Sequence, residues 1–253
     1  MKTIEESIQM VKNFDFKNAT QKEIEDAIPT FGMNNEFPLE MPKEFQEYMG
    51  WGIKTWQYPS QISKLLYFLK DKNINSYLEI GCRWGGTFIL INELLRKYNP
   101  SLEAHCVDYI PASDILDIYQ NKFEGNRFYY HQIESFSPYL FTRMYGDVNV
   151  PKPQTDLVFI DGCHTYFCIQ EDYHRALFLG AKYIIFHDIV SSSSISSKLS
   201  WENIKKKHKK VYEFTDQYES VNGTFMGIGV IEIDKEDDCF PHFNEYYPKF
   251  FGE

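Results

Sequence analysis

The residues of this chain best suited to chemistry fall in two short runs. The first is Asp156-Leu157-Val158-Phe159-Ile160-Asp161-Gly162-Cys163-His164-Thr165-Tyr166, continuing to Asp172. The second is Tyr183-Ile184-Ile185-Phe186-His187-Asp188-Ile189. Each is an apolar stretch ending in ionisable groups: Asp161 and His164 on one, His187 and Asp188 on the other. Carboxylate and imidazole donors at neighbouring strand ends suit a divalent cation such as Mg²⁺, Mn²⁺ or Fe²⁺. An imidazole also titrates near neutral pH and can act as a general base. Structural readings stand beside these. Asp161 could be a helix N-cap, His164 a satisfied loop histidine, and His187-Asp188 a strand end paired with a helix. Three structural roles at once accord poorly with convergence on one sheet edge. Asp172, on the following helix, reads as structural, and Cys163 is not counted as a ligand.

A third run could cradle a cofactor. In Tyr77-Leu78-Glu79-Ile80-Gly81-Cys82-Arg83-Trp84-Gly85-Gly86-Thr87 an apolar strand reaches an acid, then glycines turn tightly into a helix. Such a turn lets backbone approach a ligand with no Cβ in the way. A dinucleotide loop needs G-x-G-x-x-G. Here the spacing is Gly81-x-x-x-Gly85, and Arg83 and Trp84 would crowd a pyrophosphate. Asp108 follows Glu79 at the end of the next apolar run.

Positioning these groups requires strands whose carboxyl ends share one edge. From Ser76 onward short apolar runs alternate with helical periods. The strands expected are 77–80, 104–107, 127–133, 157–160 and 182–186, with helices near 87–98, 113–119, 167–179 and 201–209. Such alternation predicts a mostly parallel sheet covered on both faces. Runs 211–214 and 227–233 read as an antiparallel hairpin finishing the sheet. Upstream, Thr3-x-x-Glu6 and Thr20-x-x-Glu23 fit capping boxes. Pro59 starts a helix with Ile62, Leu65, Leu66 and Leu69 on one face. Between them, Trp51, Trp56, Gln57 and Tyr58 could form a lid or a packed hinge. Residues 191–200 hold seven serines and read as a mobile loop. The Lys205–Lys210 run reads as a solvated helix end, and Trp201 as packing that helix on the sheet.

Composition narrows the class. The 253 residues carry 26 Lys+Arg against 36 Asp+Glu, a net charge of −10, which argues against a nucleic-acid partner. Hydrophobic residues make up 43% and aromatics 17%, which excludes a disordered chain. No apolar run approaches the ~20 residues of a membrane span, and acids at Glu5 and Glu6 do not fit a signal peptide. The five cysteines form no CxxC pair and read as reduced thiols of a cytoplasmic protein. The C-terminal aromatics Phe240, Phe243, Tyr246, Tyr247, Phe250 and Phe251 read as core or subunit interface.

Glu79-x-Gly81-x-x-x-Gly85 resembles motif I of class I S-adenosylmethionine (SAM)-dependent methyltransferases. Ile160-Asp161-Gly162-x-His164-x-Tyr166, followed by His187-Asp188, resembles one subgroup of them. That subgroup contains metal-dependent macrolide-sugar O-methyltransferases and cephalosporin hydroxylase-type proteins. The resemblance spans roughly residues 50–235. It implies a Rossmann-like α/β fold with a seven-stranded, mostly parallel sheet, helices on both faces and an N-terminal helical extension. The units would be an extension and lid (1–59), a SAM-binding domain (60–235) and an aromatic tail (236–253). It implies SAM held by Glu79, Gly81, Arg83, Gly85, Asp108 and Asp161, with Asp108 on the ribose hydroxyls. It implies a divalent metal at Asp161, His187 and Asp188, and His164 as catalytic base. His187 departs from the family's acid pair, which shifts preference from Mg²⁺ toward Mn²⁺ or Fe²⁺ or removes this residue from the ligand set. The function expected is metal-assisted O-methylation of a sugar hydroxyl, on a nucleotide-linked or capsular or cell-surface polysaccharide sugar, by a homo-oligomer. A metal-dependent oxygenation partner and a non-catalytic SAM-binding subunit are the alternatives.

Overall fold

The computed structural model describes residues 1–36, 38–123, 128–132, 155–234 and 237. Seven strands form one sheet: β1 (Ser76–Ile80), β2 (Glu103–Asp108), β3 (Tyr129–Gln132), β4 (Leu157–Ile160), β5 (Tyr183–Phe186), β6 (Lys210–Phe214) and β7 (Ile228–Glu232). Their order is β3-β2-β1-β4-β5-β7-β6. Strands β1 to β5 pair in parallel. Strand β7 runs antiparallel between β5 and β6, so the expected hairpin does finish the sheet.

Side-chain alternation divides the core into two layers. Tyr77, Phe159, Ile185 and Val230 face one side, with α3 (Pro59–Leu69), α4 (Gly86–Tyr98) and α5 (Asp114–Lys122). Leu78, Ile80, Val158, Ile160, Ile184 and Phe186 face the other, with α6 (Tyr166–Phe178) and α7 (Ile195–Ile204). A sheet covered on both faces needs apolar residues at successive positions, which is why the strands read as continuous hydrophobic runs. Strand order, the antiparallel insertion and two helical layers make this a Rossmann-like class I methyltransferase fold. Between β1 and β4 the chain order reverses. That switch point opens a crevice at the strands' carboxyl ends.

The N-terminal segment is built onto this unit. Helices α1 (Ile4–Asn13) and α2 (Gln21–Ala27) begin with the capping boxes of Thr3 with Glu6 and Thr20 with Glu23. Helix α1 meets α4 and α5, and α2 meets α3. A Cβ at Gly86 would fall 2.4 Å from the Ile53 carbonyl oxygen. The segment before α3 therefore lies directly on the start of α4.

The serine-rich stretch is not a loop throughout, and this corrects the expectation. Helix α7 spans Ile195–Ile204, and Ser191, Ser194, Ser197 and Ser200 are buried. Ser197, Ser200, Trp201 and Ile204 form one helical face, and small side chains let that face sit close to the sheet. The Ser194 and Ser197 hydroxyls satisfy each other at 2.6 Å. Trp201 does pack on the sheet: its ring lies 5.3 Å from that of Phe186, over Gly229, where a Cβ would meet it at 2.6 Å. Lys205 pairs with Glu202 and Glu213, while Lys210 enters β6. The six tail aromatics, Cys239 and the ends of the third expected strand at Arg127 and Ile133 lie outside the described residues. No helix among the described residues is long and apolar enough to cross a membrane.

Candidate active site

The glycine turn is fixed by what lies beside it. Gly81 has φ +85°, and a Cβ there would sit 2.1 Å from the Asp161 carbonyl oxygen. Gly85, φ +89°, caps α4 without a side chain, and its N–H donates to the Cys82 carbonyl at 2.7 Å. Between them the Arg83 N–H donates to Asp108 Oδ2 at 2.8 Å, and the Ile110 N–H donates to Oδ1 at 3.3 Å. Asp108 thus ties the turn to β2. Its two oxygens keep spare lone pairs at the cavity wall. The Arg83 guanidinium donates to Glu36 at 2.9 Å, so this side chain joins the loop to the N-terminal segment. Glu79 is buried and accepts the Tyr77 hydroxyl. Burial, only partly offset by that bond, holds its carboxyl well above the usual range.

The second group is assembled by β4 and β5. The Asp161 N–H donates to the Ile80 carbonyl at 2.8 Å, and the His187 N–H to the Ile160 carbonyl at 3.2 Å. These bonds hold the strand ends level, and Asp188 turns away in a left-handed conformation, φ +60°. Asp161 Oδ1 lies 2.8 Å from His187 Nδ1 and 3.3 Å from His164 Nε2. Asp188 closes the ring, with Oδ2 3.3 Å from His164 Nδ1 and Oδ1 3.5 Å from His187 Nδ1. One ligand atom from each of Asp161, His164 and His187 lies within 4.8 Å of the others. Burial would lower His187, but the charges of Asp161 and Asp188 outweigh it and push it up to about 9. Burial likewise opposes the ionisation of Asp161, yet His187 and His164 hold its carboxyl below the usual range. His164 is raised: burial acts against its charge, and Asp161 and Asp188 prevail.

Both groups wall one cavity of about 520 Å³, together with Lys54, Trp56, Trp84 and Glu40. All the expected site residues gather there. Arg83 does so with its guanidinium already engaged, and Asp172 stands apart in an ion pair with Arg175 at 3.0 Å. Glu40 carried no sign in the sequence, which marked Gln57 only as part of a lid or packed hinge. Gln57 is fully buried, and its Nε2 donates to Asp161 Oδ2 at 3.3 Å. An amide placed among aromatics just before a helix was its only signal. Glu40, raised by burial and then by the charge of Asp188, comes from a proline-punctuated stretch that shows no periodicity. Trp56 lines the cavity, whereas Tyr58 is buried and donates to the Glu40 carbonyl. Lys54 Nζ lies 4.5 Å above the Trp84 ring.

The donor set fits a divalent cation. Nε2 of His187 is buried without a hydrogen-bond partner, and Nδ1 has the ion pair with Asp161 at 2.8 Å. A buried polar group left unpaired costs about 1–3 kcal/mol, and a cation bound at the nitrogen would relieve that cost. Carboxylates with imidazoles match Mn²⁺ or Fe²⁺ at least as well as Mg²⁺.

No protein-family model matches the chain, and no curated protein matches it. Among solved structures it is similar to the O-methyltransferase TomG from Streptomyces achromogenes, involved in tomaymycin synthesis and solved with SAM. The identity is 13% over 71% of this chain and 82% of that one, with a TM-score of 0.49. It is also similar to cofactor-bound Rv0187 from MTB, at 13% identity over 92% and 100% of the two chains and a TM-score of 0.48. A third is MycE methyltransferase of the mycinamycin pathway, solved with Mg and SAH, at 12% identity over 70% and 49% and a TM-score of 0.43.

Proposed function

We propose that this protein is a SAM-dependent O-methyltransferase, assisted by a divalent metal, that acts on a sugar hydroxyl. The observation that carries the reading is the meeting of the glycine turn and Asp108 with the Asp161–His164–His187–Asp188 cluster in one cavity. Bound SAM supplies a methyl group activated on a sulfonium, and a bound divalent cation lowers the pKa of a hydroxyl it contacts. The chain's own residues do the rest. Gly81 and Gly85 keep Cβ atoms out of the cofactor's path, and Asp108 accepts from the ribose hydroxyls through its spare lone pairs. Asp161, His187 and Asp188, with side chains 18%, 8% and 11% exposed, would hold the metal. His164, 42% exposed, takes the proton of the acceptor hydroxyl. Asp161 and Asp188 flank its ring and orient it. Holding oxygen, methyl carbon and sulfur in line is then a positioning effect. The sugar acceptor follows from the sequence resemblance.

The test is release of S-adenosylhomocysteine (SAH) from SAM with sugar acceptors, with and without EDTA. Chelation is expected to remove the activity, and a full rate in EDTA would sink the metal's role. A second reading is favoured by the 4.8 Å grouping, in which His164 joins Asp161 and His187 as a ligand. His164→Ala separates the two. As a base it loses turnover and keeps Mn²⁺ affinity; as a ligand it loses both.

A further inference from the structure

The four described cysteines form two pairs of very different access. Cys82 and Cys106 are buried in the core, where the Cys82 thiol donates to the Val107 carbonyl at 3.9 Å. Cys163 and Cys168 are partly exposed, and both line the cavity that holds the candidate site. Cys163 lies between Asp161 and His164, before α6 begins. Cys168 is in the first turn of that helix. Thr165, the helix N-cap, draws them together: its Oγ1 lies 3.4 Å from Cys163 Sγ and accepts the Cys168 N–H at 3.4 Å. The proposed chemistry uses neither thiol.

We propose that Cys163 and Cys168 are a site of reversible oxidation by hydroperoxides, forming a disulfide that encloses His164. The Cys163 sulfur attacks one peroxide oxygen. The O–O bond breaks, and hydroxide leaves as water with the thiol proton, giving a sulfenic acid. The Cys168 sulfur then attacks that sulfur. The S–O bond breaks and a second water leaves with the Cys168 proton. Two thiols lose two electrons and two protons in all, and hydrogen peroxide becomes two waters. A dithiol reductant reverses the step by thiol–disulfide exchange. The bridge closes the loop from Cys163 to Cys168, the segment that carries His164 between Asp161 and Asp188. The buried pair is an internal control, since burial denies it to peroxide.

The experiment treats the full-length protein with a small excess of hydrogen peroxide under native conditions. Remaining thiols are alkylated and the peptides mapped by mass. The expected result is a Cys163–Cys168 link, with Cys82 and Cys106 still alkylatable only after denaturation, and full reversal by dithiothreitol. Cys168→Ser is expected to leave a sulfenic acid at Cys163 that dimedone traps. Cys163→Ser is expected to give neither the link nor a dimedone adduct under the same treatment. Cys163 left reduced, oxidised directly to sulfinic acid in the presence of Cys168, or linked to another cysteine would each overturn the proposal. The mapping needs no enzymatic activity, so its outcome is separate from that of the methyl-transfer assay.

Discussion

His187 is the residue on which the metal reading turns. Its buried Nε2 lacks a hydrogen-bond partner, and two carboxylates hold the ring's proton up to about 9. His187→Ala is therefore expected to weaken Mn²⁺ binding by at least about tenfold, as seen by titration calorimetry, while SAH binding persists. The same proton competes with a metal ion. As pH falls below about 9, a protonated His187 must release its proton before ligating. Apparent Mn²⁺ affinity should weaken by up to tenfold per pH unit, and titrations at several pH values check the sign. At this scale much of the site was legible. Asp161, His164, His187 and Asp188 end apolar runs, so their placement follows from strand geometry. Glu40 was not legible, and Gln57 only as part of a lid or hinge, because both come from a segment without periodicity and meet groups more than a hundred residues away in sequence.

Elements aim these residues. The glycine turn between β1 and α4 has no room for a side chain at Gly81, where φ is +85° and Asp161 backbone is 2.1 Å from a Cβ. Left-handed backbone alone costs a non-glycine residue about 1–2 kcal/mol. Gly81→Ala is expected to lower the melting temperature and also to abolish SAH binding, because relief of the contact must move either the turn or the Asp161 strand end. A drop in stability with unchanged SAH affinity would separate the turn from the cofactor. Thr20 caps α2, far from the cavity. Thr20→Ala should cost about 1 kcal/mol in denaturant unfolding and leave SAH affinity as it is. Both capping boxes were readable as four-residue patterns. The serine-rich helix was not, because its composition suggested a loop while the spacing of Ser197, Ser200, Trp201 and Ile204 carried the helical signal.

For the whole molecule, the acidic balance acquires a location. Of the acids behind the −10 net charge, Asp108, Asp161 and Asp188 line one cavity, beside Glu40 and Glu79, whose carboxyls burial pushes toward the neutral form. Such a wall suits a sulfonium and a divalent cation and would repel a phosphate-rich ligand. The N-terminal segment completes the cavity with Glu40, Lys54 and Trp56, and reaches the cluster through Gln57. Residues from Glu40 to Gln57 thus belong to the site's wall. The most direct test of the account is a crystal structure with SAH and Mn²⁺, with diffraction recorded at the manganese edge. The account predicts one anomalous peak about 2.0–2.2 Å from donor atoms of both Asp161 and His187, with SAH over Gly81 and its ribose on Asp108. Manganese bound away from Asp161 and His187, or SAH outside this cavity, would contradict it.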